Sequence, residues 1–235
     1  EGGGQLTFKI QYAGELFDKS TIEKLSSLIT VLLEQVSDNP EQNIKELTYL
    51  DAQQYDQVIR GWNETDKEYP SDKTIHQLFE EQVERSPDSV AVVYEDIQLT
   101  YKELDERANR LANYLRAQQE IRPDSMIALC LDRSEYMIIA ILGALKAGGA
   151  YVPIDPSYPD ERISYILQDT QACVVITNEI YSSRLKQIAY IQQAIMVAID
   201  NEAIEANLLL QPTITPKTQT ISNNLAYVIY TSGTT

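Results

Sequence analysis

Apolar residues recur along this chain with two periods, and the switches between them outline its elements. In LTFKIQY, Leu6, Phe8, Ile10 and Tyr12 fall on one side of an alternating pattern, the period of a half-buried strand that needs a sheet to join. Ser20 and Glu23 have the spacing of a capping box. Ile22, Leu25, Leu28, Ile29, Leu32 and Val36 then recur at helical spacing until Asp38-Asn39-Pro40 stops the helix. One strand and one helix cannot bury both their apolar faces and still form a core, so residues 1–50 are expected to need partners elsewhere. Residues 40–72 turn polar around anchors at Leu47, Leu50, Val58, Ile59 and Trp62, as a connector between domains does.

From Thr74 onward helical patterns alternate with short apolar runs. Thr74 and Gln77 predict a capping box for a helix carrying Ile75, Leu78, Phe79 and Val83 and closed near Pro87. SVAVVYE and IQLT read as a strand pair turning at Glu95-Asp96. Thr100 and Glu103 cap the next helix, with Leu104, Ala108, Leu111, Ala112 and Leu115 on one stripe. MIALCL is a predicted strand. Residues 135–147 form a helix apolar almost all round, expected to be buried and to end at Gly148 in a left-handed cap. AYVPI, ACVVIT, AIMVAI and LAYVIY read as further strands, with a helix over 159–168 opened by Pro159. Residues 202–224, rich in Gln, Thr and Asn, read as mostly irregular. Strands alternating with helices imply a layered α/β architecture with a largely parallel sheet.

Composition narrows the function. With 43% apolar and 23% charged residues the chain has the make-up of a packed protein, and a formal charge of −16 argues against nucleic acid, whose binding draws on clustered Lys and Arg. Cys130 and Cys173 lie in apolar runs without metal spacing and read as core thiols of a reducing compartment, which implies the cytoplasm. The most apolar stretch, 136–145, meets Lys146 and two glycines well short of the roughly 20 residues that span a bilayer, so no membrane partner is expected. The first residues have no signal-peptide pattern and read as the middle of a longer polypeptide.

The chemistry signals are sparse. His76, the sole histidine, has no ligand partners at metal spacing and reads as a residue of the helix start. Neither G-x-S-x-G nor G-x-x-x-x-G-K-[ST] occurs, and Glu80-Glu81 read as a solvated helix face rather than an acid-base pair. The end of the chain differs. LAYVIY opens directly into Thr231, Ser232, Gly233, Thr234 and Thr235, where glycine and small hydroxyl residues let several donors approach one anion.

Three blocks stand in order: LTYKELDERANRLANYL, LKAGGAYVPIDPSYPDERI and NLAYVIYTSGTT. They resemble the first three core motifs of nonribosomal peptide synthetase adenylation domains, within the adenylate-forming superfamily of acyl-CoA ligases and luciferases. Upstream, YAGELFDKSTIEKLSSLITVLLEQVSDNPEQNIKELTYL is similar to the end of a condensation domain. That pairing favours a peptide synthetase over an acyl-CoA ligase-like enzyme or a non-catalytic docking module. The resemblance implies three parts: 1–50 as the C-terminal end of a condensation domain, 51–73 as an interdomain linker, and 74–235 as the N-terminal part of an adenylation domain. The implied fold is a partial large subdomain of the adenylate-forming fold, preceded by a strand-helix remnant.

The implied activity is attack of an amino-acid carboxylate on the α-phosphate of Mg2+-bound ATP, then thioester loading of a carrier protein domain through its phosphopantetheine. Thr231 to Thr235 match the start of the loop that holds the β- and γ-phosphates. The second block reads as structural, its glycines suiting a helix end and close packing. The family's later lysines, pocket residues and metal-binding acids match nothing in this chain. No catalytic residue is therefore assigned, the amino acid stays open, and the chain is expected to catalyse neither reaction alone.

Overall fold

The computed structural model describes residues 7–188 and 194–231, which divide into two compact units, 1–69 and 70–235. In the first unit the long helix α1 (Lys19–Asp38) is followed by a one-turn 3-10 helix (Ile44–Glu46), α2 (Ala52–Ile59) and a second 3-10 turn (Gly61–Asn63). Residues 7–13 form no strand. Their alternating pattern has no neighbouring strand among the described residues of this unit to supply backbone partners. The predicted Ser20-Glu23 capping box is likewise absent. Asp18 occupies the N-cap, α1 starts at Lys19, and Glu23 instead pairs with Lys19 at 3.5 Å. A real capping box stands farther on, in the stretch read as a connector: Asp51 accepts from the Gln54 amide at 2.7 Å and the Gln54 side chain accepts from the Asp51 amide at 3.2 Å, opening α2. The Gln35 side chain ties Thr48 to α1, accepting from its amide at 2.9 Å and donating to its carbonyl at 2.6 Å. None of residues 7–69 is buried, and Leu25, Ile29 and Val36 of the predicted apolar stripe are exposed.

The second unit is a three-layer α/β sandwich. Helix α3 (Ile75–Arg85) leads to an antiparallel hairpin of β1 (Val90–Tyr94) and β2 (Ile97–Thr100), whose turn places Glu95 at φ 50°. After α4 (Tyr101–Gln118) come β3 (Met126–Cys130), α5 (Glu135–Ala147), β4 (Ala150–Pro153), α6 (Asp160–Thr170), β5 (Val174–Thr177), α7 (Glu179–Leu185), β6 (Ile195–Ala198) and α8 (Glu202–Leu209). The four strands β3 to β6 are parallel in the order β4-β3-β5-β6.

Both sheet faces are covered. Ile127, Leu129, Val174, Ile176 and Val197 point to one core with α4 and α5, while Ala128, Cys130, Val152 and Val175 point to another with α6 and Leu185 of α7. Burial pushes the Cys130 thiol up to about 12, so it behaves as a core hydrophobe. Both predicted capping boxes in this unit form: Gln77 and Glu103 side chains accept from the backbone amides of Thr74 and Thr100 at 2.8 and 2.9 Å. Gly148 closes α5 at φ 97°, a conformation that a Cβ would strain. At Gly149 an added Cβ would lie 2.8 Å from the Ser125 carbonyl oxygen, so the backbone approach of β4 to the turn before β3 requires glycine.

Three expectations about the elements of this unit are corrected. LAYVIY makes no strand but a single parallel bridge, Tyr227 to Tyr151, and only one of its faces packs. Residues 202–224 contain α8, opened by the Asn201 side chain accepting from the amides of Ala203 and Ile204, with the irregular stretch confined to the residues after Leu210. Pro159 is the N-cap of α6 rather than its first helical residue. Helix α5 is buried along most of its length, as its apolar run implies, with Ile138 38% exposed.

Candidate functional site

The last described segment enters the sheet beside β4. Tyr151 donates its amide to the Ala226 carbonyl and accepts at its own carbonyl from Val228, both at 3.0 Å, and the pairing is parallel. Burial alternates along it: Ala226, Val228 and Tyr230 are half-buried, Leu225, Tyr227 and Ile229 exposed. Val228 and Tyr230 pack on the core under α6, where the Tyr230 hydroxyl donates to Asp169 and burial with that carboxylate pushes it up to about 12. Tyr227 lies over Tyr151 with ring centroids 5.6 Å apart. Running in the direction of β4, the segment reaches the exposed Thr231. Parallel sheets bind ligands outside the carboxyl ends of their strands. Ser232, Gly233, Thr234 and Thr235 lie outside the described residues.

The same edge carries polar residues that sequence reasoning passed over. Beyond β3, β5 and β6, Asn178 accepts from the Asp132 amide at 2.9 Å, and Asp200 accepts from the Asn178 side chain at 3.0 Å and the Glu179 amide at 2.6 Å. Arg184 of α7 holds the loop of the second block, donating to the carbonyls of Pro156 and Tyr158 and to Asp160 at 2.5 to 2.8 Å. Among the described residues no three His, Cys, Asp or Glu side chains converge to hold a metal ion. An open cavity of about 290 Å³, lined by Arg107, Arg110, Tyr136, Ile139 and Glu205 among others, shares no lining residue with the 225–231 segment.

A buried ion network holds the chain that leads to this segment. Lys146 is fully buried at the end of α5. Its ammonium pairs with Glu80 of α3 and with Asp105 of α4 at 2.9 Å, and donates to Thr215 Oγ1 at 3.1 Å. Thr215 in turn donates to Glu80 at 2.7 Å. Asn109 and Asn113 donate to the carbonyls of Thr213, Pro212 and Ile214 at 2.8 to 3.1 Å. The solvated-face reading of Glu80 is thereby corrected. Burial disfavours its charge, but the hydrogen bonds from Lys146 and Thr215 together outweigh it and hold its carboxyl below the ordinary range. No short-range pattern points to this role, since the partners of Lys146 are 41 to 69 residues away.

His76 has the packing role expected of a helix-start residue: it is buried, with Nε2 3.1 Å from Thr74 Oγ1. Burial lowers its pKa, the Lys146 charge lowers it further, and Glu80 opposes both. Between the ordinary value of about 6.5 and the depressed folded value, the unfolded chain therefore binds more protons. Stability is expected to be fully present above pH 6.5 and to fall as the pH drops through that value, levelling off below the folded pKa. Melting temperatures from pH 7.5 to 5 check this, with His76→Gln flattening the slope.

Comparison with known proteins gives this geometry a family. The AMP-binding enzyme family matches residues 79–235, and the condensation domain family matches residues 1–59. N-(5-amino-5-carboxypentanoyl)-L-cysteinyl-D-valine synthase of Amycolatopsis lactamdurans is 49% identical over 238 residues, covering 100% of this chain and 6% of its own length. Tyrocidine synthase 3 of Brevibacillus parabrevis is 40% identical over 234 residues, covering 98% and 4%. The nonribosomal peptide synthetase FmoA3, solved with alpha-methyl-L-serine-AMP bound, superposes with a TM-score of 0.69 at 26% identity over 92% of this chain and 24% of its own. The chain thus spans a small part of the curated relatives it matches. With a parallel sheet between helical layers and a family match over two thirds of its residues, the chain belongs to the AMP-binding enzyme family, as the N-terminal part of an adenylation domain preceded by the end of a condensation domain.

Proposed function

We propose that this chain is part of an amino-acid-activating ligase of nonribosomal peptide synthesis, which joins an amino-acid carboxylate to the α-phosphate of ATP with release of pyrophosphate and then loads a carrier protein's phosphopantetheine thiol. The observation that carries this reading is the 225–230 segment, bridged parallel to β4, which delivers Thr231, the first residue of the hydroxyl-rich run Thr231 to Thr235 in the sequence, beyond the strand it pairs with. Hydroxyl and backbone N-H donors at such a point fit an anion, and charge that builds on the departing pyrophosphate would be stabilised there. Mg2+ enters as the counterion of ATP. Thr231, Ser232, Gly233, Thr234 and Thr235 are the residues proposed for the β- and γ-phosphates. Residues 1–50, 51–73 and 74–235 are proposed as condensation end, linker and adenylation part, working in the cytoplasm. No helix among the described residues is long and apolar enough to cross a membrane.

The test uses the complete synthetase and ATP-pyrophosphate exchange over a panel of amino acids. A hydrogen bond to a charged group is worth about 1.5 to 3 kcal/mol, so Ser232→Ala and Thr234→Val are each expected to slow exchange or raise the ATP requirement by roughly ten- to a hundredfold. Amino-acid affinity and melting temperature are expected to stay near wild type. Both variants keeping wild-type ATP kinetics would remove the phosphate assignment.

A further inference from the structure

The segment that ends at Thr231 has one face to pack and one to expose, so its register on β4 decides which residues do which. A slip of one residue would turn Val228 and Tyr230 out and Tyr227 and Ile229 in. Yet only one bridge holds the segment to β4, and pairing that limited fixes register weakly.

Beside the Tyr230 bond to Asp169, an additional hold lies just upstream. Asp124, in the turn before β3, accepts from the Leu225 amide at 2.8 Å through Oδ1 and from the Asn224 side chain at 3.3 Å through Oδ2. Asn224 Oδ1 accepts from the Ile221 amide at 2.8 Å, which closes the turn presented to Asp124. Asp124 itself sits at φ 66°, a left-handed conformation that short polar side chains and glycine tolerate best. The turn that carries it is fixed from both sides: the Ser125 amide donates to the Arg122 carbonyl, and the Ser125 carbonyl accepts from the Ala150 amide at 2.8 Å, at the start of β4. One carboxylate thus grips the last segment two residues before Tyr227 meets Tyr151, from a turn tied to the strand on which that segment lies.

We propose that Asp124 is a positioning residue, a clasp that sets the register of residues 225–231 on β4 and so the place where Thr231 emerges. The second part of this statement rests on the ATP reading above. Asp124 touches neither nucleotide nor amino acid in this scheme and acts only through Asn224 and Leu225.

The experiment compares Asp124→Gly with Asp124→Asn in the complete synthetase. Glycine keeps the positive φ without strain and removes the acceptor. Asparagine tolerates the same backbone and keeps an oxygen for the Leu225 amide. Hydrogen exchange is read on peptides covering 225–230, and KM values for ATP and amino acid are read from pyrophosphate exchange.

Asp124→Gly is expected to speed exchange across 225–230 and to raise the KM for ATP about five- to twentyfold, with the amino-acid KM within about twofold of wild type. Asp124→Asn keeps the Leu225 bond and loses the Asn224 one, because its NH2 would face the Asn224 NH2, and is expected to restore most of both readouts. Unchanged hydrogen exchange in Asp124→Gly would overturn the clasp. Faster exchange with an unchanged KM for ATP, or with both KM values raised alike, would reduce Asp124 to a structural contact and overturn its positioning role. A wild-type synthetase without pyrophosphate exchange would overturn the functional reading instead, while hydrogen exchange would still decide the register.

Discussion

Replacing Lys146 with alanine is expected to cost the AMP-binding part of the chain about 3 to 5 kcal/mol. The ammonium is fully buried and is the common partner of Glu80, Asp105 and Thr215. Its removal would leave two carboxylates facing each other across a partly dry gap, with side-chain exposures of 29% and 18%. The penalty would come from those uncompensated charges rather than from the lost methylenes alone. Lys146→Met tests this, since it keeps most of the volume and is expected to remain strongly destabilised on its own. Lys146→Met with Glu80→Gln and Asp105→Asn removes the charges together, and much of the loss is expected to return. Urea unfolding of the complete adenylation domain measures both. A triple variant no more stable than Lys146→Met would show that charge is not the source of the cost.

The second large effect is expected at Ile139. It is 3% exposed in α5 and packs into the core that α4 and α5 share with one sheet face. Ile139→Ala should therefore cost about 2 to 5 kcal/mol through lost burial and the cavity left behind. The adjacent Ile138, on the same helix but 38% exposed, provides the control, with Ile138→Ala expected to cost well under half as much. Relaxation at Ile139 is limited by the closeness of α4: at Gly143, one turn on, a Cβ would stand 2.6 Å from Leu111 Cδ2. Helices packed that tightly cannot collapse further into a hole without moving together. Equal losses at 138 and 139 would contradict the burial pattern.

These two sites differ in how far they could be read in advance. Ile139 belongs to a helix whose apolar run is visible in the residue pattern, and its burial followed from that run. Lys146 stands in the same helix and interrupts the same run, which made it look like a boundary marker. Nothing within a helical turn of it shows that Glu80 and Asp105 will converge on its ammonium. Thr231 could be placed at the end of a strand-like run, but Asp124, which grips that run, is 100 residues or more from Asn224 and Leu225.

The sequence by itself determined the local elements whose causes are local. The capping boxes of α3 and α4, the Gly148 stop, the Glu95 turn and the alternation of strands with helices each follow from residues a few positions apart. The three ordered blocks likewise carried the family. Where a local signal competed with another, as at Asp18 against Ser20, or lay inside a polar stretch, as at Asp51 and Asn201, the helix start was misplaced or missed. Only the tertiary structure decided whether an apolar run found a partner. Residues 7–13 and 225–230 have similar alternating patterns, yet the first makes no strand and the second makes one bridge, because backbone donors and acceptors are satisfied by neighbours that a linear pattern does not name. The same holds for the charges on Glu80 and Lys146, whose burial is set by three helices meeting, not by the residues beside them.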